Sequence, residues 1–220
     1  MLAETMDKEY YEYISKFASG LAKVYAIADF LAKSTRNKVV DIASPKPDAR
    51  ILDVATGTGE LVFAFAKKGF CATGIDLSKD MLRIARKNNK YEKANFEIAD
   101  TASTPFKRNL FDVSCISLTL HDMPFRIREK VLREMARITK LQGTIIIVDY
   151  APLPKNMILR FLAYQITKLY ETKYYSEYAR SDQRGQLQRI GIEIREEIPT
   201  LIGTLRILKC TNTSAVSTNV

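Results

Sequence analysis

The chain has 220 residues, 46% hydrophobic and 27% charged, and its 34 Lys and Arg against 25 Asp and Glu leave a net charge of +9. That size suits one domain with a full core, and the balance excludes a disordered or membrane-spanning chain. No apolar run nears the roughly 18 residues that a spanning helix needs, and the one from Gly143 to Tyr150 is interrupted by Asp149. Met1 to Asp7 is acidic and lacks the basic-then-apolar order of a signal peptide, so a cytoplasmic protein is expected, with peripheral membrane contact left open. Cys71, Cys115 and Cys210 are odd in number and far apart, and read as buried small hydrophobes with no metal-ligand or redox spacing. The cations are spread along the chain, so a solvated surface is expected rather than a DNA- or RNA-binding face.

In chain order, residues 7 to 45 have a helical, tyrosine-rich pattern that ends at Pro45-Lys46-Pro47. Arg50 to Ala55 then reads as a strand and Glu60 to Lys68 as a helix. Cys71 to Leu77 is the next strand, and Ser78 is placed to cap a helix over Lys79 to Asn89. Asn95 to Ala99 and Phe111 to Leu120 are strands three and four. Arg126 to Thr139 is amphipathic at helical spacing, and Thr144 to Tyr150 is a fifth strand, apolar on both faces. Apolar strands alternating with helices predict a doubly wound α/β domain, Rossmann-like, with a mostly parallel sheet covered on both sides. Met157 to Tyr175 and Ser181 to Ile190 read as helical, and Glu193 to Pro199 and Thr204 to Cys210 as late strands. The expected layout is one domain over 1–210: a helical cap (1–47), a core (48–150), a helical lid segment (151–192) and final strands (193–210), with a disordered tail at 211–220.

Gly57 and Gly59 follow a strand and precede a helix, where small residues let backbone approach a ligand and the helix start offers free N–H groups. A dinucleotide site has a third glycine three residues on; Val62 stands there, which disfavours a nicotinamide oxidoreductase. Asp53 ends the first strand, Asp76 the second and Asp100 the third, all on the edge where open α/β sheets bind ligands. An acid before the loop suits a cofactor with an amino group and a sulfonium. An acid about 20 residues past the loop suits a ribose diol. A third can accept from an adenine amino group. With the neighbouring Ala55, Thr56, Leu77, Met81, Thr101, Ala102 and Leu118, these form the expected cofactor site.

The stretches Asp53 to Glu60, Gly74 to Ser78, Asp100-Thr101-Ala102 and Glu134 to Tyr150 resemble the successive motifs of class I S-adenosylmethionine-dependent methyltransferases. Pro105-Phe106, Phe111-Asp112 and Arg133 to Arg137 resemble, within that class, the ubiquinone and menaquinone C-methyltransferase branch. The resemblance implies S-adenosylmethionine as cofactor and a seven-stranded sheet with its last strand antiparallel. It also implies that Asp53 and Gly57 lie near the methionyl part, that Asp76 holds the ribose, and that Asp100 and Thr101 approach the adenine. Gln142-Gly143 and His121 to Pro124 depart from the quinone-enzyme pattern and leave the acceptor open. A small molecule is expected, quinone-like, lipid or prenylated; an RNA or protein methyltransferase and a non-catalytic S-adenosylmethionine-binding module are the alternatives, and the chain would act as a monomer or homodimer.

His121, the sole histidine, lies just past the fourth strand, and Asp149 and Tyr150 end the fifth. His121 and Tyr150 are the catalytic candidates, since an imidazole suits general-base work. Tyr10, Tyr11, Tyr13, Tyr25, Tyr164, Tyr170, Tyr174 and Tyr175 are candidates to wall an apolar or aromatic acceptor pocket.

Overall fold

The computed structural model describes residues 9–12, 25–152, 174–200 and 203–214, with backbone alone for 25–33. Tyr13, Tyr164, Tyr170 and most of the amphipathic stretch from Met157 lie outside the described residues. Among the described residues, no helix is long and apolar enough to cross a membrane.

After a helical turn at residues 9–12 come α1 (Tyr25–Ala43), β1 (Arg50–Val54), α2 (Glu60–Lys67), β2 (Cys71–Asp76), α3 (Lys79–Asn88), β3 (Ala94–Ile98) and β4 (Phe111–Ser117). A 3₁₀ turn at Leu120–Asp122 leads into α4 (Phe125–Ile138), β5 (Thr139–Tyr150), α5 (Tyr175–Arg180), α6 (Gln183–Ile190), β6 (Ile192–Thr200) and β7 (Leu205–Asn212). The seven strands lie in the order β3-β2-β1-β4-β5-β7-β6. β1 to β5 are parallel, and β7 inserts antiparallel between β5 and β6, as expected of the last strand.

Side chains alternate across the sheet and feed two cores. Leu52, Val54 and Ile116 face α4 and α6, where Ile127, Val131, Leu132, Met135 and Leu187 meet them. Ile51, Val113, Cys115 and Ile146 face the other side, against Val39 and Val40 of α1, Val62 and Phe65 of α2, and Leu82 of α3. The helix signals act as read from the sequence: Ser78 Oγ accepts from Met81 N–H at 3.3 Å to open α3.

Five expectations are corrected. β1 stops at Val54 and β4 at Ser117, because Ala55 and Leu118 have φ of +56° and +52° and turn the chain out of the sheet. β5 begins five residues early, at Thr139, and absorbs a bulge at Gln142 (φ +61°) and Gly143, where a β-carbon would stand 2.7 Å from Lys140 O. β7 runs to Asn212, two residues into the presumed tail; Asn212 is buried, and its amide donates to Ala136 O and Thr139 O, each at 2.8 Å. Cys71 is exposed, because it opens β2 at an outward-facing position; Cys115 and Cys210 are buried.

Candidate cofactor and acceptor site

The strand order reverses between β1 and β4, so their carboxyl ends splay into a crevice. Ala55 and Leu118, both left-handed, sit at this point, each just past the end of its strand. A non-glycine residue holds such a conformation at a cost of order 1 kcal/mol or more, and clusters of such strain mark ligand sites. A cavity of about 150 Å³ opens here, lined by Asp53, Ala55, Thr56, Gly57 and Leu118 among others. Gly57 has φ +55°, and a β-carbon on it would meet nothing within 4 Å, so the loop backbone faces open space. Gly59 serves packing instead: a β-carbon there would stand 2.6 Å from the Phe96 ring.

Asp53 is buried at the floor of this cavity and accepts from Thr56 Oγ1 at 2.6 Å. Burial pushes its carboxyl up to about 7; the Thr56 bond opposes the rise and the Asp76 charge adds to it. Asp76 ties the loop to β2, accepting from Gly57 N–H and Ser78 N–H, each at 2.8 Å. Burial raises its pKa too, with those backbone bonds opposing. Leu77 beside it is a large apolar side chain left exposed, while Met81 is buried beneath the edge. Asp100 accepts from Ala102 N–H at 2.9 Å, and Thr101 between them is buried. Asp76, Leu77, Asp100 and Ala102 thus continue the edge away from the cavity rather than lining it.

The two catalytic candidates come together past β4 and β5. The rings of His121 and Tyr150 meet edge to face at 4.7 Å. His121 Nδ1 donates to Asp149 Oδ1 at 2.7 Å, and Nε2 lies 3.2 Å from Asp122 Oδ1. Asp149, 2% exposed, also accepts from the backbone N–H of His121 and of Tyr150. Burial alone would lower the His121 pKa; the Asp149 carboxylate reverses this and holds it above the ordinary value. The Tyr150 hydroxyl is pushed up to about 12 by burial and by Asp149, so it stays protonated. Tyr175 and Tyr178 complete the ring around the imidazole, at 6.4 and 6.3 Å.

The structure adds residues that the sequence did not suggest. Thr35, Arg36 and Val39 of α1 line the cavity with the glycine loop, as do Thr119 and Leu205. Asp122 joins the His121 cluster. Tyr11, expected at an acceptor pocket, instead reaches Asp100 across 89 positions. Nothing local marks these side chains, because their partners are distant in the chain.

A profile of the methyltransferase domain family matches residues 45–196. The chain is 34% identical over 127 residues to the demethylmenaquinone methyltransferase of Thermus thermophilus, covering 55% of this chain and 56% of that protein. It is 31% identical over 127 residues to the ubiquinone/menaquinone biosynthesis C-methyltransferase UbiE of a Ruegeria species, covering 55% and 50%. It therefore spans about half the length of the curated relatives it matches. Magnesium protoporphyrin IX methyltransferase of Synechocystis PCC 6803, solved with bound SAH, superposes with a TM-score of 0.65 at 21% identity, covering 81% of this chain and 82% of that one, a likeness of fold. Since the matched residues begin before β1 and run into β6, taking in each strand-end acid described above, the chain belongs to the class I S-adenosylmethionine-dependent methyltransferase family.

Proposed function

We propose that the chain methylates a small molecule bearing an ionisable hydroxyl or acidic carbon, such as a phenolic or quinol-like ring, with a lipid or prenyl chain as an allowed extension. The observation that carries this reading is the Asp149–His121 pair, at 2.7 Å on the carboxyl edge beside the cofactor crevice. S-adenosylmethionine supplies an already activated methyl group when bound, and the chain's own residues then align, exclude water and move a proton.

The residues fit that cofactor. Asp53 is a buried acid lining the cavity, suited to the cationic methionyl end, and Arg36, which also lines it, suits the carboxylate. Asp76 would take the ribose hydroxyls, Asp100 and Thr101 the adenine edge, and the exposed Leu77 its face. His121 would accept the acceptor's proton at Nε2, with Asp149 fixing the ring through Nδ1 and stabilising the imidazolium that results. Asp122 Oδ1, 3.2 Å from Nε2, would pair with the imidazolium once the proton has been taken. Tyr150, Tyr175 and Tyr178 give that position aromatic walls suited to a ring.

Incubating the protein with methyl-labelled S-adenosylmethionine and separate soluble and lipid extracts, then identifying the labelled product, tests the reading. A labelled ring-hydroxyl or ring-carbon compound supports it; label on RNA or protein alone sinks it.

A further inference from the structure

The turn at residues 9–12 lies against the carboxyl edge by two tyrosines with different partners. The Tyr11 hydroxyl donates to Asp100, 3.0 Å from Oδ2 and 3.2 Å from Oδ1. Tyr10 is 4% exposed and packs in the core with Leu120, Met123 and Tyr178. Its ring meets Tyr11 edge-on at 5.4 Å and Tyr174 at 6.0 Å. One short segment thus spans from the end of β3, the adenine side of the crevice, to the start of α5, on the acceptor side. Burial raises the Tyr10 phenol, and the negative Asp122 beside it raises it further, so Tyr10 stays neutral and acts by packing.

Asp100 is a receptor with few lone pairs to spare. Ala102 N–H binds Oδ1 and the Tyr11 hydroxyl bridges both oxygens, nearer Oδ2, which fixes the carboxylate plane and leaves a lone pair on Oδ2 for a further donor. A carboxylate already oriented by a charge-assisted bond loses no rotamer freedom when the next donor arrives.

We propose that Tyr11 is a positioning residue for the adenine-binding carboxylate, so that filling the cofactor site and docking residues 9–12 against Asp100 favour one another. The proposal rests on the reading of Asp100 given above. Coupling of this kind is reciprocal: if Tyr11 strengthens adenine binding, an adenine-bearing ligand must stabilise the docked segment to the same degree.

The test is calorimetric titration of the full chain and of Tyr11→Phe, which keeps the ring, with S-adenosylhomocysteine and with 5′-methylthioadenosine, which lacks the amino-acid part. Hydrogen exchange at residues 9–12 is followed with and without each ligand. Tyr11→Phe is expected to weaken both ligands by the same factor, about 5- to 20-fold, and to abolish the ligand's protection of 9–12. Asp100→Asn is expected to give the same loss, and the double variant little more than either alone. Equal affinities in wild type and Tyr11→Phe, with protection unchanged, would overturn the coupling alone; tighter binding by Tyr11→Phe would overturn it by showing competition for Asp100. Failure of the wild type to bind either ligand would overturn the cofactor reading and this proposal with it.

Discussion

Asp53 illustrates a residue whose placement opposes stability and serves the site. Its folded-state pKa of about 7 lies above the ordinary carboxyl value because the cavity floor strips water from the charge. Between about pH 4 and pH 7 the folded state therefore holds a proton that the unfolded chain has released, and stability falls as pH rises across that window. Asp53→Asn removes the penalty, so its melting temperature should exceed that of wild type by a margin that grows from pH 4 to pH 7 and then levels off. The same variant should lose S-adenosylmethionine binding by tenfold or more, because the cationic ligand is what favours the ionised carboxylate. A flat difference across pH would mean that Asp53 is ionised throughout. The histidine behaves oppositely. Its raised pKa reports an imidazolium paired with Asp149 and Asp122, which stabilises the fold below about pH 6.5 and ceases to do so as pH climbs through the raised value. As a base it must be neutral, so kcat/KM should rise with pH through that same value. Asp149→Asn should move this limb to lower pH, and His121→Ala should cost about 10²-fold or more in kcat. Activity within a few-fold of wild type would leave the histidine a purely structural link between β4 and β5.

The elements show where local pattern suffices and where it does not. Strands and helices from β1 to α4 follow from apolar period and capping residues, and the three acids Asp53, Asp76 and Asp100 are legible because a parallel sheet puts every strand end on one edge. The strand limits were not legible at Ala55 and Leu118, since alanine and leucine give no hint of a left-handed backbone. Thr35 and Arg36 lay within a helical pattern with nothing to direct them to the crevice, and only the packing of α1 on the sheet brings them there. Asn212 was hidden for a related reason. It looks like a polar tail residue, yet its amide satisfies Ala136 O and Thr139 O where α4 passes into β5. Those carbonyls belong to a helix end that has no intrahelical donors. Asn212→Ala leaves them buried and unpaired, and should cost about 1–3 kcal/mol. Differential scanning calorimetry should show the melting temperature falling by several degrees, with S-adenosylhomocysteine affinity unchanged; an unaltered melting point would return Asn212 to the tail.

Over the whole molecule the net charge and the site disagree in sign. The chain carries +9, with Lys79, Arg83, Arg86 and Lys87 along α3 and Arg126, Lys130, Arg133 and Arg137 along α4. Asp53, Asp76, Asp100, Asp122 and Asp149 are gathered at the carboxyl edge of the parallel strands, where the cofactor is proposed to bind. At physiological ionic strength charges separated by more than about 8 Å are largely screened, so an entering cation responds to the acids near it rather than to the distant excess. S-adenosylmethionine carries a net positive charge and S-adenosylhomocysteine none. At pH 8, where Asp53 is ionised, raising salt should therefore weaken S-adenosylmethionine binding and leave S-adenosylhomocysteine little affected. Tighter S-adenosylmethionine binding in salt would show that the global charge governs instead.

The gathering of tyrosines around His121 has an optical consequence. The chain has no tryptophan and 11 tyrosines; Tyr150, Tyr175 and Tyr178 ring the imidazole, and Tyr10, Tyr11 and Tyr174 form a second aromatic group. Near-ultraviolet circular dichroism, which reads fixed packing of aromatic chromophores, therefore carries a contribution from the side chains around His121. A methyl acceptor entering there should change the tyrosine band at saturating concentration without any label or engineered probe, so the unmodified protein can be used to screen for its own substrate.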